Sequence, residues 1–183
     1  MKFKIIEEIN DILLIQMFPF EDDRGQYIKL FSDQQLKETG LETKFFEDNY
    51  LISKKGAIRG LHYQKANPEA KLLTCLKGRI IDIVCDVRED SKNYGKFYIF
   101  EISSEERKFI FIPEGFAHGF LSLEDSEVYY KSSNYYYPDD QYGISVFSKE
   151  LKLDEILEKY SIEKLIITEK DKKLKEVNNE NFK

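Results

Sequence analysis

Between residues 11 and about 148 the chain is a succession of short apolar or alternating runs: DILLIQMF, GQYIKLF, AIRGLHY, KLLTCL, RIIDIVCDV, KFYIFEI, KFIFI, GFAHGFLSL and EVYYKSS. Runs of this length, rich in β-branched and aromatic residues and repeating roughly every eight to twelve residues, predict the strands of an all-β sandwich or barrel. The punctuation agrees: KGR at 77–79 and SKNYG at 91–95 supply Gly and Asn where hairpin loops need left-handed backbone angles. One short helix is predicted near residues 33–39, capped by Ser32, with Gln35 completing a capping box and Gly40 ending it. Past residue 148 the period changes. KELKLDEILEKY places Leu153, Ile156, Leu157 and Tyr160 on one helical face, and a second short helix is predicted to begin near Thr168. The pattern predicts one domain over 1–183, with a β core at about 11–148 and a helical C-terminal part at about 149–177. The last residues, EVNNENFK, are polar and expected to fray.

Composition narrows the class. A chain of 183 residues can bury roughly two-thirds of its unfolded surface, and 42% hydrophobic with 14% aromatic residues is globular, every ring being Tyr, Phe or His because Trp is absent. A net charge of −6 argues against nonspecific nucleic-acid binding, which needs Lys and Arg spread over a wide surface. Cys75 and Cys85 both sit in apolar strand-like runs, as buried thiols of a cytosolic protein do, rather than in a secreted disulfide framework. Acidic residues and Asn interrupt the apolar runs of the first eighteen residues, so no signal-peptide core is present, and no stretch approaches the roughly twenty apolar residues that span a membrane. The expectation is a cytoplasmic protein.

The candidate chemistry begins with GAIRGLHYQK at 56–65, which carries His62, one of two histidines. A stable transition-metal site normally takes at least three side-chain ligands, and with only His62 and His118 as imidazoles, no His-x-His pair and no suitably placed Cys, a metal-free site is expected. No nucleophile elbow, Walker loop or dinucleotide fingerprint occurs. Acid–base chemistry remains. A base removing a proton beside a ketone needs a cation or donor to stabilise the enolate, for which Lys71 is a candidate, and inversion needs an acid on the opposite face, for which the tyrosines of VYYKSSNYYYP offer several choices. Each residue also has an ordinary structural explanation. A lone His in an apolar strand is commonly a satisfied core residue, alternating tyrosines form a packed sheet face, and Arg24 or Arg59 can simply pair with surface carboxylates.

Taken together, DDRGQY (22–27), DN (48–49), IRGLHYQ (58–64), AKLLTCLKGRIIDIVCDVRED (70–90), IPEGFAHGF (112–120) and YKSSNYYYP (130–138) occur in the order and at the intervals of a known family. The chain resembles the dTDP-4-dehydrorhamnose 3,5-epimerases, sugar-nucleotide epimerases of cupin fold. The resemblance implies a mainly β, cupin-type jelly-roll barrel, a homodimer, no cofactor, no metal, and a dTDP-linked or related nucleotide-sugar substrate. It also implies roles. His62 matches the general base, Tyr130 the opposing acid, Asp171 the carboxylate paired with the base, and Lys71 the lysine beside the 4-keto oxygen. Arg24, Asn49, Arg59, His118 and Lys170 match substrate-binding positions, Tyr136 an aromatic that stacks on the substrate, and Glu47 and Gln141 lie at expected substrate contacts.

The implied activity is inversion at C3 and C5 of a nucleotide-linked 4-keto-6-deoxy sugar. Inversion of one carbon only, another sugar nucleotide, or binding without turnover are the alternatives. Lys29, Glu47 and Gln141 stand where the family usually carries Glu, Gln and Glu, Leu51 replaces a Ser, and ISVFSKELKLDEI replaces a Trp-containing segment. One geometric point follows from the chain alone: in a regular strand Arg59 and His62 face opposite ways. Both reach one cavity only if Gly60 forms a bulge that shifts the phase.

Overall fold

From Ile80 to Cys85 side chains alternate between two interiors: Ile80 and Val84 pack in one apolar cluster, Ile81, Ile83 and Cys85 in another. A strand buried on both faces has to lie inside a layered structure, and the rest of the chain supplies the layers. The structure, a computed structural model, describes residues 2–177. Its strands are β1 (Phe3–Ile9), β2 (Ile12–Met17), β3 (Phe20–Asp22), β4 (Gly25–Tyr27), β5 (Glu47–Ser53), β6 (Ile58–Gln64), β7 (Lys71–Lys77), β8 (Arg79–Asp86), β9 (Phe97–Ser103), β10 (Lys108–Ile112), β11 (Phe116–Ser122), β12 (Ser126–Ser132) and β13 (Gln141–Gly143). Its helices are α1 (Asp33–Glu38), α2 (Leu153–Lys159) and α3 (Glu169–Lys172).

One sheet runs β1-β2-β10-β7-β12-β5, the other β13-β6-β11-β8-β9, and β3 with β4 forms a separate hairpin. Leu14, Leu73, Ile110 and Val128 of the six-stranded sheet meet Ile80, Val84, Phe100 and Phe120 of the five-stranded sheet in the space between them. Behind the five-stranded sheet, Leu153 and Ile156 of α2 cover Ile81, Ile83 and Leu121. Behind the six-stranded sheet, Leu36 of α1 packs with Ile15, Leu72 and Phe109. The architecture is a jelly-roll stack of two sheets with separate edges, not one closed hydrogen-bonded barrel. Cys75 and Cys85 are free and buried, and burial pushes both thiols above the ordinary range, as suits core packing. Among the described residues no helix is long and apolar enough to cross a membrane.

The predicted helices form with their predicted caps. Ser32 accepts the Gln35 N–H at 3.4 Å, and Gly40 has φ +92°. Thr168 caps α3 by accepting the Asp171 N–H at 3.1 Å. The differences concern strands, among them the short β3, which no predicted run covers. β1 and β5, absent from the apolar pattern, are edge strands whose outer sides carry Glu or exposed Tyr50 and Ile52, which blurs the alternation; β13 is only three residues long. The run GQYIKLF yields only β4, because Ile28, Leu30 and Phe31 leave the hairpin to pack against the α1 cluster. The frayed end expected for EVNNENFK falls, from residue 178 onward, outside the described residues.

The bulge in β6 is present. His62 pairs with His118 and Arg59 with Phe120, so three steps on β6 match two on β11. Ile58 and Leu61 both pack in the cluster behind the sheet, while Arg59 and His62 both line the cleft on its other side. Gly60 carries the irregularity at φ +103°, and a Cβ there would stand 2.6 Å from His118 O and 2.8 Å from Gly119 Cα. Gly60→Ala is expected to destabilise the fold by about 2–4 kcal/mol, seen in urea unfolding as a lower midpoint with an unchanged slope. An unchanged midpoint would contradict this account of the bulge.

Candidate functional site

At one end of the space between the sheets the apolar core gives way to an open cleft of about 810 Å³. Alternation builds its walls. On β5 the half-buried positions Glu47, Asn49 and Leu51 turn inward, and Tyr130 on β12 lies directly beside Asn49. Lys71 opens β7 next to Ser132 of β12. On the facing sheet β6 contributes Arg59 and His62, β11 contributes His118, and α3 closes the rim with Lys170 and Asp171.

His62 Nε2 donates to Asp171 Oδ1 at 2.7 Å, which leaves the lone pair of the neutral ring on Nδ1. The imidazole is about one-quarter exposed and the carboxylate 6% exposed. Burial lowers the His62 pKa below its ordinary value, Lys71 and Lys170 act in the same direction, and Asp171 opposes them. The ring is therefore neutral near pH 7, held in one orientation, and able to accept a proton. On the opposite sheet, burial and the charges of Glu69 and Glu47 push Tyr130 up to about 12, against the pull of Arg59, so its phenol keeps its proton. Lys71 Nζ is almost fully buried and bonded to Glu69 at 2.8 Å. A neutral imidazole on one wall and a protonated phenol on the other, with an ammonium alongside, suit proton removal next to a carbonyl and its return from the opposite side.

The remaining predicted residues are grouped at the cleft, with one exception. Arg59 Nε donates to buried Ser53 Oγ at 3.0 Å, which steers the guanidinium along the wall. His118 is 7% exposed and donates through Nε2 to Asp82 Oδ2 at 2.8 Å, a second imidazole–carboxylate pair beside the first. Glu47 accepts the Tyr136 N–H at 3.3 Å, and Gln141 Oε1 accepts from the Tyr136 hydroxyl at 3.5 Å and from Lys170 Nζ, so these residues frame the half-exposed Tyr136 ring. Arg24 is the exception. Within one chain it sits at the β3–β4 turn, 88% exposed and paired with Asp22, away from the cleft.

Asp82 and Glu69 escaped the motif reading. A signal existed for each: Asp82 is a carboxylate at an inward position of an otherwise apolar strand, and Glu69 lies two residues before Lys71, hence on its side of the extended chain. Lys29 stands outside the lining of the cleft. Among the described residues no three His, Cys, Asp or Glu side chains converge as a metal ion would require.

The sequence and the fold have counterparts among known proteins. Residues 7–179 match the family model described as dTDP-4-dehydrorhamnose 3,5-epimerase. A dTDP-4-dehydrorhamnose 3,5-epimerase of Methanothermobacter thermautotrophicus is 37% identical over 176 residues, covering 95% of this chain and 94% of that one. A crystal structure of a dTDP-6-deoxy-D-glucose-3,5-epimerase from Legionella pneumophila Philadelphia 1, in complex with dTDP-4-keto-L-rhamnose, superposes with a TM-score of 0.87 at 31% identity over 95% of this chain and 92% of that one. The dTDP-4-dehydrorhamnose 3,5-epimerase of Bacillus anthracis strain Ames, with TDP and PPi bound, gives a TM-score of 0.87 at 32% identity over 96% of this chain and 99% of that one. With the fold, the ordered motifs and the chain-length matches in agreement, this chain belongs to the dTDP-4-dehydrorhamnose 3,5-epimerase family of isomerases.

Proposed function

We propose that the protein inverts C3 and C5 of a dTDP-linked 4-keto-6-deoxy sugar by successive proton transfers through an enolate. The observation that supports this most strongly is the placement of the His62–Asp171 pair and Tyr130 on facing sheets of one cleft, with Lys71 beside them. The 4-keto group acidifies the hydrogens on both neighbouring carbons. His62 Nδ1 removes one, the Lys71 ammonium stabilises the charge that develops on the ketone oxygen, and Tyr130 delivers a proton to the other face. Asp171 holds the imidazole in its tautomer and stabilises the imidazolium that forms. His62 then releases its proton to solvent, Tyr130 takes one from solvent, and the same cycle acts on the second carbon. No step uses a cofactor or a metal.

In the same cleft, Arg59, His118 and Lys170 receive the diphosphate within a chain of net charge −6, Asn49 donates to the substrate, and Tyr136, framed by Glu47 and Gln141, stacks on it. Arg24 completes the site from a second copy of the chain in a homodimer. The support is its position on an exposed hairpin flanked by the exposed rings of Phe20 and Tyr27, which it could carry into a neighbouring cleft. The reaction is assigned to the cytoplasm, in keeping with two free, buried thiols.

His62→Ala is expected to retain dTDP binding and lose turnover by at least about a hundredfold. Mixed with Arg24→Ala under subunit exchange, the two impaired variants should regain about a quarter of normal activity, because half of the dimers then carry one intact site. Turnover by His62→Ala near normal would overturn the base assignment, and no regain would overturn the shared site. The pH profile gives a second test. A depressed His62 pKa places the acidic limb of kcat/KM below pH 6.5, since the base form survives to lower pH. In Asp171→Asn the limb should move lower still, because the opposing carboxylate is gone, while kcat falls by roughly 10²–10⁴. A limb that rises in this variant would contradict the pairing.

A further inference from the structure

Glu69 occupies the reacting end of the cleft and has no part in the scheme above. Its side chain is 13% exposed, and both carboxylate oxygens are engaged: Oε1 lies 2.8 Å from Lys71 Nζ, and Oε2 accepts the Ser132 hydroxyl at 2.6 Å. The backbone explains the arrangement. Glu69 stands two residues before Lys71, at the entry to β7, and Ser132 is the cross-strand partner of Lys71. The carboxylate therefore ties the start of β7 to the end of β12, the strand that carries Tyr130.

An ion pair this poorly solvated is held only where its remaining lone pairs are satisfied, and removal of one member leaves the other uncompensated. Ser132 meets that condition here. We propose that Glu69 is a positioning residue, which fixes the Lys71 ammonium at the cleft wall and sets its own negative charge in the cleft that Tyr130 also lines. The inference rests on the roles given above to Lys71 and Tyr130.

Tyr130 shares the cleft with Lys71 and His62; the largest influences of charged and titratable groups on it are those of Glu69, Glu47 and Tyr136, which favour the protonated phenol, and of Arg59, which opposes it. Glu69 leads this set after burial itself, so its removal weakens the side that favours the protonated phenol. A carboxylate that merely braced the two strands would leave the phenol unaffected when replaced by an amide of the same shape.

The test is Glu69→Gln, read in two ways. In protein labelled at tyrosine 13Cζ, with Tyr130→Phe assigning the signal, the Tyr130 resonance should begin to titrate about one pH unit lower than in the unaltered protein. In turnover, the alkaline limb should fall by about the same amount and kcat at neutral pH by roughly tenfold, with KM changed less than about twofold. An unmoved Tyr130 titration in folded Glu69→Gln overturns the proposal. Ser132→Ala keeps the charge and releases one oxygen, so it should lower kcat by about threefold and leave the alkaline limb in place, and it decides the positioning role should the first variant not fold. Unchanged kcat in Ser132→Ala overturns that role. The resonance measurement needs no turnover. An unaltered protein inactive on the nucleotide sugar would thus defeat the reading of the site while the Tyr130 signal still decided the role of Glu69.

Discussion

A β-strand sends successive side chains to opposite faces, so Arg59 and His62, three residues apart, share a wall only because one extra residue is inserted between them. Gly60 is what the insertion requires. Its φ of +103° and its approach to the His118 carbonyl leave no room for a side chain. The slip has consequences on both sides of the sheet. Ile58 and Leu61 stay together in the apolar cluster under α2, and the residues proposed for phosphate binding and proton abstraction stay together in the cleft. Asp171, 109 positions further on, can then meet His62 at 2.7 Å because α3 is set against the same strand.

The cleft is polar at the end of an apolar sandwich, and this is tolerated because nearly every buried group there has a partner. Asp171 holds His62, Asp82 holds His118, Glu69 holds the Lys71 ammonium and is itself held by Ser132, and Ser53 holds Arg59. Unpaired, groups of this kind would each cost several kcal/mol in a medium of low polarisability. Paired, they are fixed in place before any substrate arrives, and that preorganisation is the main contribution a protein makes to stabilising an enolate. Burial acts selectively on the two groups proposed to transfer protons: it lowers the imidazole's affinity for a proton and raises the phenol's, so His62 is unprotonated and Tyr130 protonated at the same pH.

Much of this was legible in the sequence, for reasons that differ by element. Central strands such as KLLTCL and RIIDIVCDV are buried on both sides and announce themselves as apolar runs, and α1 carries its cap and α2 its apolar face within a dozen residues. Edge strands β1 and β5 do not, since their outer residues answer to solvent rather than to packing. The bulge became readable once the resemblance set Arg59 and His62 in one site, because parity puts them on opposite faces of a regular strand. Asp171 and Lys170 were reached only through resemblance: no local pattern ties a helix of four residues to a strand more than a hundred positions earlier. Arg24 shows a different limit. Its motif matched, yet one chain does not bring it to the cleft, so its proposed role depends on an assembly that a single sequence does not display.

Incubation of the unaltered protein with dTDP-4-keto-6-deoxyglucose in deuterated water, followed by NMR at individual carbons, tests the central claim most directly. Removal and return of protons on both sides of the ketone predicts deuterium at C3 and at C5 of the sugar. Deuterium at neither carbon, with the nucleotide sugar demonstrably bound in the cleft, would contradict it.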